Sequence, residues 1–213
     1  MPEHDETLAD ALRRRIIAGD FAPGERLSEL AVAESLGVSR NTLREAFRVL
    51  AEQGLIEHIP HRGASVASPA VADVVDIYRA RRYVEPAALR TGSPLHPAVA
   101  AMRAAVESSE AALAAQEWGV VGTGNMEFHA AIVDLADSPR LARLYRDVAA
   151  ELRLAFLAID TPEALHAPYV PRNRALLELF LAEGGEVASR ELTDYLVESE
   201  QTVLGAFTRQ RRG

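Results

Sequence analysis

The chain contains no cysteine, which excludes disulfides, thiolate zinc sites and cysteine nucleophiles, and leaves any metal to histidine and carboxylate ligands. It also has no lysine: all 23 basic residues are arginine. That bias suits planar, bidentate contacts and is equally the composition of a GC-rich genome. No apolar run approaches the roughly 20 residues a bilayer span requires, and the opening MPEHDETLAD is acidic where a signal peptide would be basic and then apolar. The expectation is a cytoplasmic protein without a membrane partner. A formal charge of −8 argues against indiscriminate coating of nucleic acid but leaves room for a specific reader with a basic face. There is no G-x-S-x-G elbow for a serine hydrolase. Glycines 119, 122 and 124 do not have dinucleotide-binding spacing and read as a loop.

With 213 residues, 48% of them hydrophobic, the chain can bury two cores. Leu8, Leu12, Ile16 and Ile17 fall at helical spacing before Gly19-Asp20 and Pro23-Gly24. Ser28 then precedes a short helix stopped by Gly37, and Ser39 caps another carrying Leu43, Ala46, Phe47 and Leu50 on one face, closed by Gly54. Two helices joined by a tight glycine turn form a helix-turn-helix unit. Residues 55–58 and 64–67 read as two short strands around Pro60-His61-Arg62-Gly63, a wing.

Beyond Ser68-Pro69 the strand signals vanish. The predicted boundary therefore separates a winged helix-turn-helix at 1–68 from a helical domain at 69–213. The fold class is mainly α. Six amphipathic helices are predicted, the fourth opening at Ser138-Pro139 with Leu141, Leu144, Tyr145, Val148, Leu152, Phe156 and Ile159 on its buried stripe. Such helices make an antiparallel bundle, with ligand sites between facing helices. His58, His61, His96 and His166 read as wing or loop residues, because none has a partner at metal-ligand spacing.

Arg40, Arg44 and Arg48 form a stripe opposite the apolar face of the third helix, with Asn41 and Thr42 beside its start. A recognition helix presents side chains there, and the arginine fork matches the O6 and N7 acceptors of guanine. The solvated face of any amphipathic helix also looks like this. The wider pattern decides between the two readings. The stretch IIAGDFAPGERLSELAVAESLGVSRNTLREAFRVLAEQGLIEHIPHRGASV resembles the DNA-binding domain of the GntR family of bacterial transcription factors. The resemblance implies base or phosphate contacts from Arg40 and Arg44, and backbone-holding roles for Ser39, Asn41 and Thr42. It further implies a phosphate-contacting or solvated Arg48, and a wing around Arg62 and Gly63 whose tip approaches the minor groove.

The C-terminal half resembles the FCD branch of that family through R-R-Y-V-E-P-A-A-L at 81–89, N-M-E-F-H at 125–129, and the paired final helices from Arg172 to Tyr195. Many FCD domains hold a divalent metal with an aspartate, a histidine four residues later and two further histidines. The matching positions here read Asn125, His129, Asn173 and Tyr195. A neutral amide and a phenol are weak donors, and no carboxylate at these positions offsets a divalent charge. The expectation is a pocket without metal, the alternative being a divalent ion retained through His129. Asn125, His129, Asn173 and Tyr195, with Arg81, would instead hold a small organic effector, polar or anionic.

These readings imply a non-enzymatic homodimer that binds an inverted-repeat operator, usually as a repressor, and is released by its effector. The rivals are a DNA-binding dimer with no small-molecule input and a helical metal-dependent enzyme carrying an accessory DNA-binding domain. The second lacks a nucleophile or a paired-carboxylate constellation.

Overall fold

The computed structural model describes residues 7–59 and 63–210. The chain divides between Pro69 and Ala70 into two compact units.

In the first unit, Thr7 opens α1 (Leu8–Ala18) with a capping box: its Oγ1 accepts from the Asp10 N–H at 3.2 Å while Asp10 Oδ2 accepts from the Thr7 N–H at 3.3 Å. Ser28 caps α2 (Glu29–Leu36), Gly37 ends it, and Ser39 caps α3 (Arg40–Glu52). The link between α2 and α3 is so short because Gly37 turns the chain at φ +65°, a conformation that side chains disfavour. Leu43, Ala46, Phe47 and Leu50 of α3 are buried, and α3 packs on α1, α2 and the sheet.

The sheet has three strands rather than two. β1 (Arg26–Leu27), β2 (Ile56–Ile59) and β3 (Gly63–Val66) are antiparallel in the order β1-β3-β2. β1 pairs Arg26 with Ser65 and Leu27 with Ala64. Two residues are too few to show alternation, so only pairing reveals this strand.

Among the described residues the second unit is helical throughout: α4 (Val71–Thr91), α5 (Ala98–Ala114), α6 (Trp118–Asp134), α7 (Pro139–Leu157), α8 (Pro162–His166), α9 (Tyr169–Glu183) and α10 (Gly185–Gln210). The additional helix is α8. Pro171 does not interrupt α9, because in the first turn of a helix its missing N–H would have had no partner. Leu144, expected on the buried stripe of α7, is 66% exposed; Tyr145 beside it is buried.

α6 packs against α4, α5, α7, α8 and α9. The three glycines expected to form a loop lie inside it, and two of them explain its central place. A Cβ at Gly122 would lie 2.9 Å from His166 Nε2, and one at Gly124 would fall on Ser109 Oγ and 3.2 Å from the Ala105 carbonyl. Glycine here admits neighbouring helices rather than flexing the chain. Gly124→Ala should therefore lower unfolding stability by roughly 1–3 kcal/mol through overpacking. Adding Ser109→Ala should recover part of that loss in denaturant melts, whereas independent effects would simply add.

Candidate functional site

The DNA-facing side chains are laid out by α3. Ser39 Oγ accepts from the Thr42 N–H at 3.1 Å and lies 2.8 Å from Thr42 Oγ1, so both residues are engaged in the helix cap. Asn41 is exposed. The side chains of Arg40, Arg44 and Arg48 are 59%, 57% and 61% exposed, a basic stripe open to solvent.

The three arginines are not equivalent. Arg44 Nε donates to Glu29 Oε2 at 2.8 Å, and Arg40 Nη2 lies 3.9 Å from the same oxygen. Glu29 is on α2, so one carboxylate ties the supporting helix to both arginines, engaging Arg44 through Nε. Arg48 is held by its own helix, with Nη1 donating to Glu52 at 2.6 Å and Nε to Glu45 at 3.4 Å. Gly63 begins β3 at φ +83°, a backbone that only glycine adopts without strain. Arg62 and His61 lie outside the described residues, and His58 stands exposed on β2.

In the helical unit the five residues anticipated from the sequence share one buried polar cluster. Asn173 Nδ2 donates to Asn125 Oδ1 at 2.7 Å, and Tyr195 Oη donates to Asn173 Oδ1 at 2.8 Å. Tyr195 Oη also lies 3.3 Å from His129 Nε2 and 3.5 Å from Asn125 Oδ1. Above the Tyr195 ring sits the Arg172 guanidinium, 4.6 Å from the centroid.

The cluster's centre is a residue the sequence reading did not single out. Glu85, with no solvent exposure, receives Arg81 Nε and Tyr145 Oη on Oε1, each at 2.6 Å, and meets His129 Nδ1 with Oε2 at 2.6 Å. Burial alone would push its carboxyl up, but Arg81 and His129 hold it down at about 2. The signal was present: Glu85 stands four residues after Arg81 in the quoted motif, on the same helix face. Tyr145 was hidden in an apolar stripe.

Burial lowers the His129 pKa, opposed in part by Glu85. The neutral imidazole therefore donates from Nδ1 to the carboxylate and presents Nε2 as an acceptor. Tyr195 stays a phenol, its pKa raised well above the ordinary value by burial. Its single proton faces three acceptors, so the cluster is one donor short. Arg81 Nη2 is conversely a buried donor without a partner.

His166 is not a loop residue. It is 3% exposed on α8, packed edge-on to Phe156 at 5.3 Å and close to Gly122 on α6. The intervening Pro168 hid a helical turn too short to show periodicity. His96 does lie between helices, where its Nε2 is 3.0 Å from Asp137 Oδ1.

A winged helix-turn-helix with an arginine-striped second helix, followed in the same chain by an all-helical domain, defines a DNA-binding transcriptional regulator rather than an enzyme. The chain belongs to the GntR family of bacterial regulatory proteins, whose model matches residues 4–66, and its second half is an FCD domain, matched over residues 76–198. A crystallised GntR-type regulator from Rhodococcus sp. RHA1 is 37% identical, with 93% of this chain and 96% of that one covered and a TM-score of 0.89. YdhC, an HTH-type transcriptional regulator of Bacillus subtilis, is 30% identical over 64% of this chain and 62% of its own length. A protein of Paenarthrobacter nicotinovorans described as a probable D-xylose utilization operon transcriptional repressor is 26% identical over 88% of this chain and 83% of its own. Among the described residues no helix is long and apolar enough to cross a membrane.

Two outcomes follow from this geometry. Glu29→Gln removes a negative charge from the DNA face and frees Arg44, so affinity for unrelated duplex should rise about twofold to fivefold and discrimination should fall. Fluorescence anisotropy with two duplexes at fixed salt measures both. His166 is pushed down from 6.5 to about 4 by burial and by Arg153. Between those values the unfolded chain takes up a proton that the folded chain refuses, so stability is full above pH 6.5 and declines as pH falls toward 4, by about 3 kcal/mol in total. Urea unfolding of His166→Gln should lack that part of the slope.

Proposed function

We propose that this regulator is a homodimeric repressor which binds an inverted-repeat operator through α3 and releases it when a small polar organic effector enters the helical domain. One observation carries the effector reading. The buried cluster of Asn125, His129, Asn173 and Tyr195 has an acceptor in excess, and Arg81 Nη2 beside Glu85 is a buried donor without a partner. Buried polar groups are as a rule hydrogen-bonded. A ligand offering one hydroxyl or N–H and one acceptor oxygen would complete both.

The same donor set speaks against a resident divalent metal. Asn125 and Asn173 are bonded to each other, Tyr195 is held as a phenol, and the Glu85 oxygens are taken by Arg81, Tyr145 and His129. His129 Nε2 alone is a poor divalent site. Native mass spectrometry of the purified protein reads this directly: dimer mass without a stoichiometric metal is the expected result, and one metal per subunit would refute it.

For the DNA half, Arg40 and Arg44 make base or phosphate contacts, and Arg48, tied to Glu45 and Glu52, is a backbone contact at most. Ser39 and Thr42 act by fixing the start of α3, and Asn41 by reaching the phosphates. Once the operator has been selected from genomic fragments, Arg44→Ala should weaken specific binding by roughly 1–3 kcal/mol if the side chain is bidentate to guanine. Arg48→Ala should change it far less; equal losses would reverse the two assignments. Tyr195→Phe should blunt effector-driven release while leaving operator affinity intact.

A further inference from the structure

Two large apolar side chains of the helical domain stand in solvent on neighbouring helices. Tyr83 on α4 is 78% exposed and Leu144 on α7 is 66% exposed. α4 and α7 pack against each other and run antiparallel: Tyr145 of α7 reaches Glu85 of α4, while Glu151, further along α7, lies in the field of Asp73 and Asp76 near the start of α4. Tyr83 and Leu144 therefore stand at nearly the same level of one two-helix face. On α7 its stripe runs from Arg140 through Leu144 and Asp147 to Glu151, at steps of three or four residues; on α4 it runs from Asp73 through Asp76 to Tyr83, at steps of one and two turns.

The face is polarised along its length. Toward the start of α4 it is acidic: partial burial, together with the charges of Asp73, Asp147 and Asp76, raises the Glu151 pKa. Arg79 pairs with Asp76 at 2.9 Å, which still leaves acids in excess there. At the opposite end α7 opens with Arg140 and Arg143, both exposed and, among the described residues, without an acidic partner. Like charges crowd at one end and unmatched cations stand at the other, with the apolar pair between them.

We infer that the outer face of α4 and α7 is where two copies of this chain meet, related by a two-fold axis near Tyr83 that sets the acidic end of each on the arginine end of the other. A two-fold axis perpendicular to the helices reverses them, so a patch with opposite charges at its two ends is complementary to itself. A parallel stack would oppose like ends. Each helix is about 30 Å long and the pair about 20 Å wide, roughly 600 Å² of flat face, which reaches the lower end of what one partner contributes to a stable interface. The inference rests on the homodimer reading and adds the face and the orientation. Arg81 and Glu85 point inward from the same α4 whose outer side makes the contact.

The test is a charge swap in the full-length protein, read by sedimentation velocity over a concentration series, with circular dichroism for helical content. Arg140→Glu with Arg143→Glu makes both ends of the face acidic, and Asp76→Arg with Glu151→Arg turns the other end basic. Each double variant alone should self-associate at least about a hundredfold more weakly than the parent, because like ends now meet at both sides of the axis. An equimolar mixture of the two should pair again as a one-to-one heterodimer, with affinity within about tenfold of the parent's.

Variants that dimerise as tightly as the parent overturn this face and leave the homodimer standing. Variants that are monomeric alone and stay monomeric when mixed overturn the charge-matched two-fold arrangement. A parent that is monomeric throughout the series refutes the homodimer reading and the face with it. Should a reversed variant lose helical content, the neutral pair Arg140→Gln and Arg143→Gln decides instead: self-association weakened about tenfold supports the face, and unchanged association overturns it.

Discussion

A carboxylate sealed from solvent organises the helical domain. Glu85 cannot remain ionised in an apolar bundle unless its oxygens are fully engaged, and its partners come from α4 itself, α6 and α7 through Arg81, His129 and Tyr145. His129 carries the network on to Tyr195 of α10, and Tyr195 to Asn173 of α9. Apolar contacts tolerate sliding by small amounts; a buried Arg81–Glu85 ion pair at 2.6 Å, joined by hydrogen bonds from His129 and Tyr145 at the same length, does not. The network therefore fixes how five helices register against one another, and the same rigidity leaves its unmatched donors and acceptors in defined places.

The two buried arginines of the helical domain, Arg81 and Arg153, sit in contrasting surroundings. Arg81 is neutralised within its own helix turn, and its one unpartnered buried nitrogen is Nη2. Among the described residues Arg153 has a carbonyl and a neutral imidazole beside it but no acid. Burying an unmatched charge is unfavourable to folding. Gly122 lets Arg153 and His166 close on α6, because a Cβ there would lie 3.1 Å from Arg153 Nη1 and 2.9 Å from His166 Nε2.

The architecture was legible in the sequence where it depends on local rules. Ser28, Ser39 and Gly37 mark helix ends by side-chain and backbone chemistry that neighbours do not alter, and the apolar spacing of α3 fixes its buried face. What escaped depends on partners distant in sequence. β1 exists only because β3 pairs with it, α8 is shorter than the period needed to detect it, and Gly122 and Gly124 look like loop residues until the helices they admit are known. Within the polar cluster, Arg81, Asn125, His129, Asn173 and Tyr195 were found through family motifs, whereas Glu85 and Tyr145 were not. A carboxylate four residues from an arginine reads as a surface pair unless burial is known. The same ambiguity hid Glu29, whose hold on Arg44 spans the turn between α2 and α3.

How a ligand in the bundle could reach the DNA-binding unit is constrained by the chain's own continuity. α4 begins at Val71, two residues after the first unit ends at Pro69, and carries Arg81 and Glu85 on the same rod. From Val71 to Glu85 is about 21 Å of continuous helix. That helix is clamped to α10 by the Tyr78–Ser199 hydrogen bond at 2.7 Å and the Arg82–Glu200 ion pair. A ligand that drew Arg81 to itself would act near the middle of this rod, and packed helices respond by small sliding or rotation as whole bodies. Binding alone moves nothing; the ligand must prefer one setting of α4 against α10 over another. The hydrogen bonds of the polar cluster join α4, α6, α9 and α10, so a ligand that supplied its missing donor would change the relative stability of their arrangements rather than of any single helix.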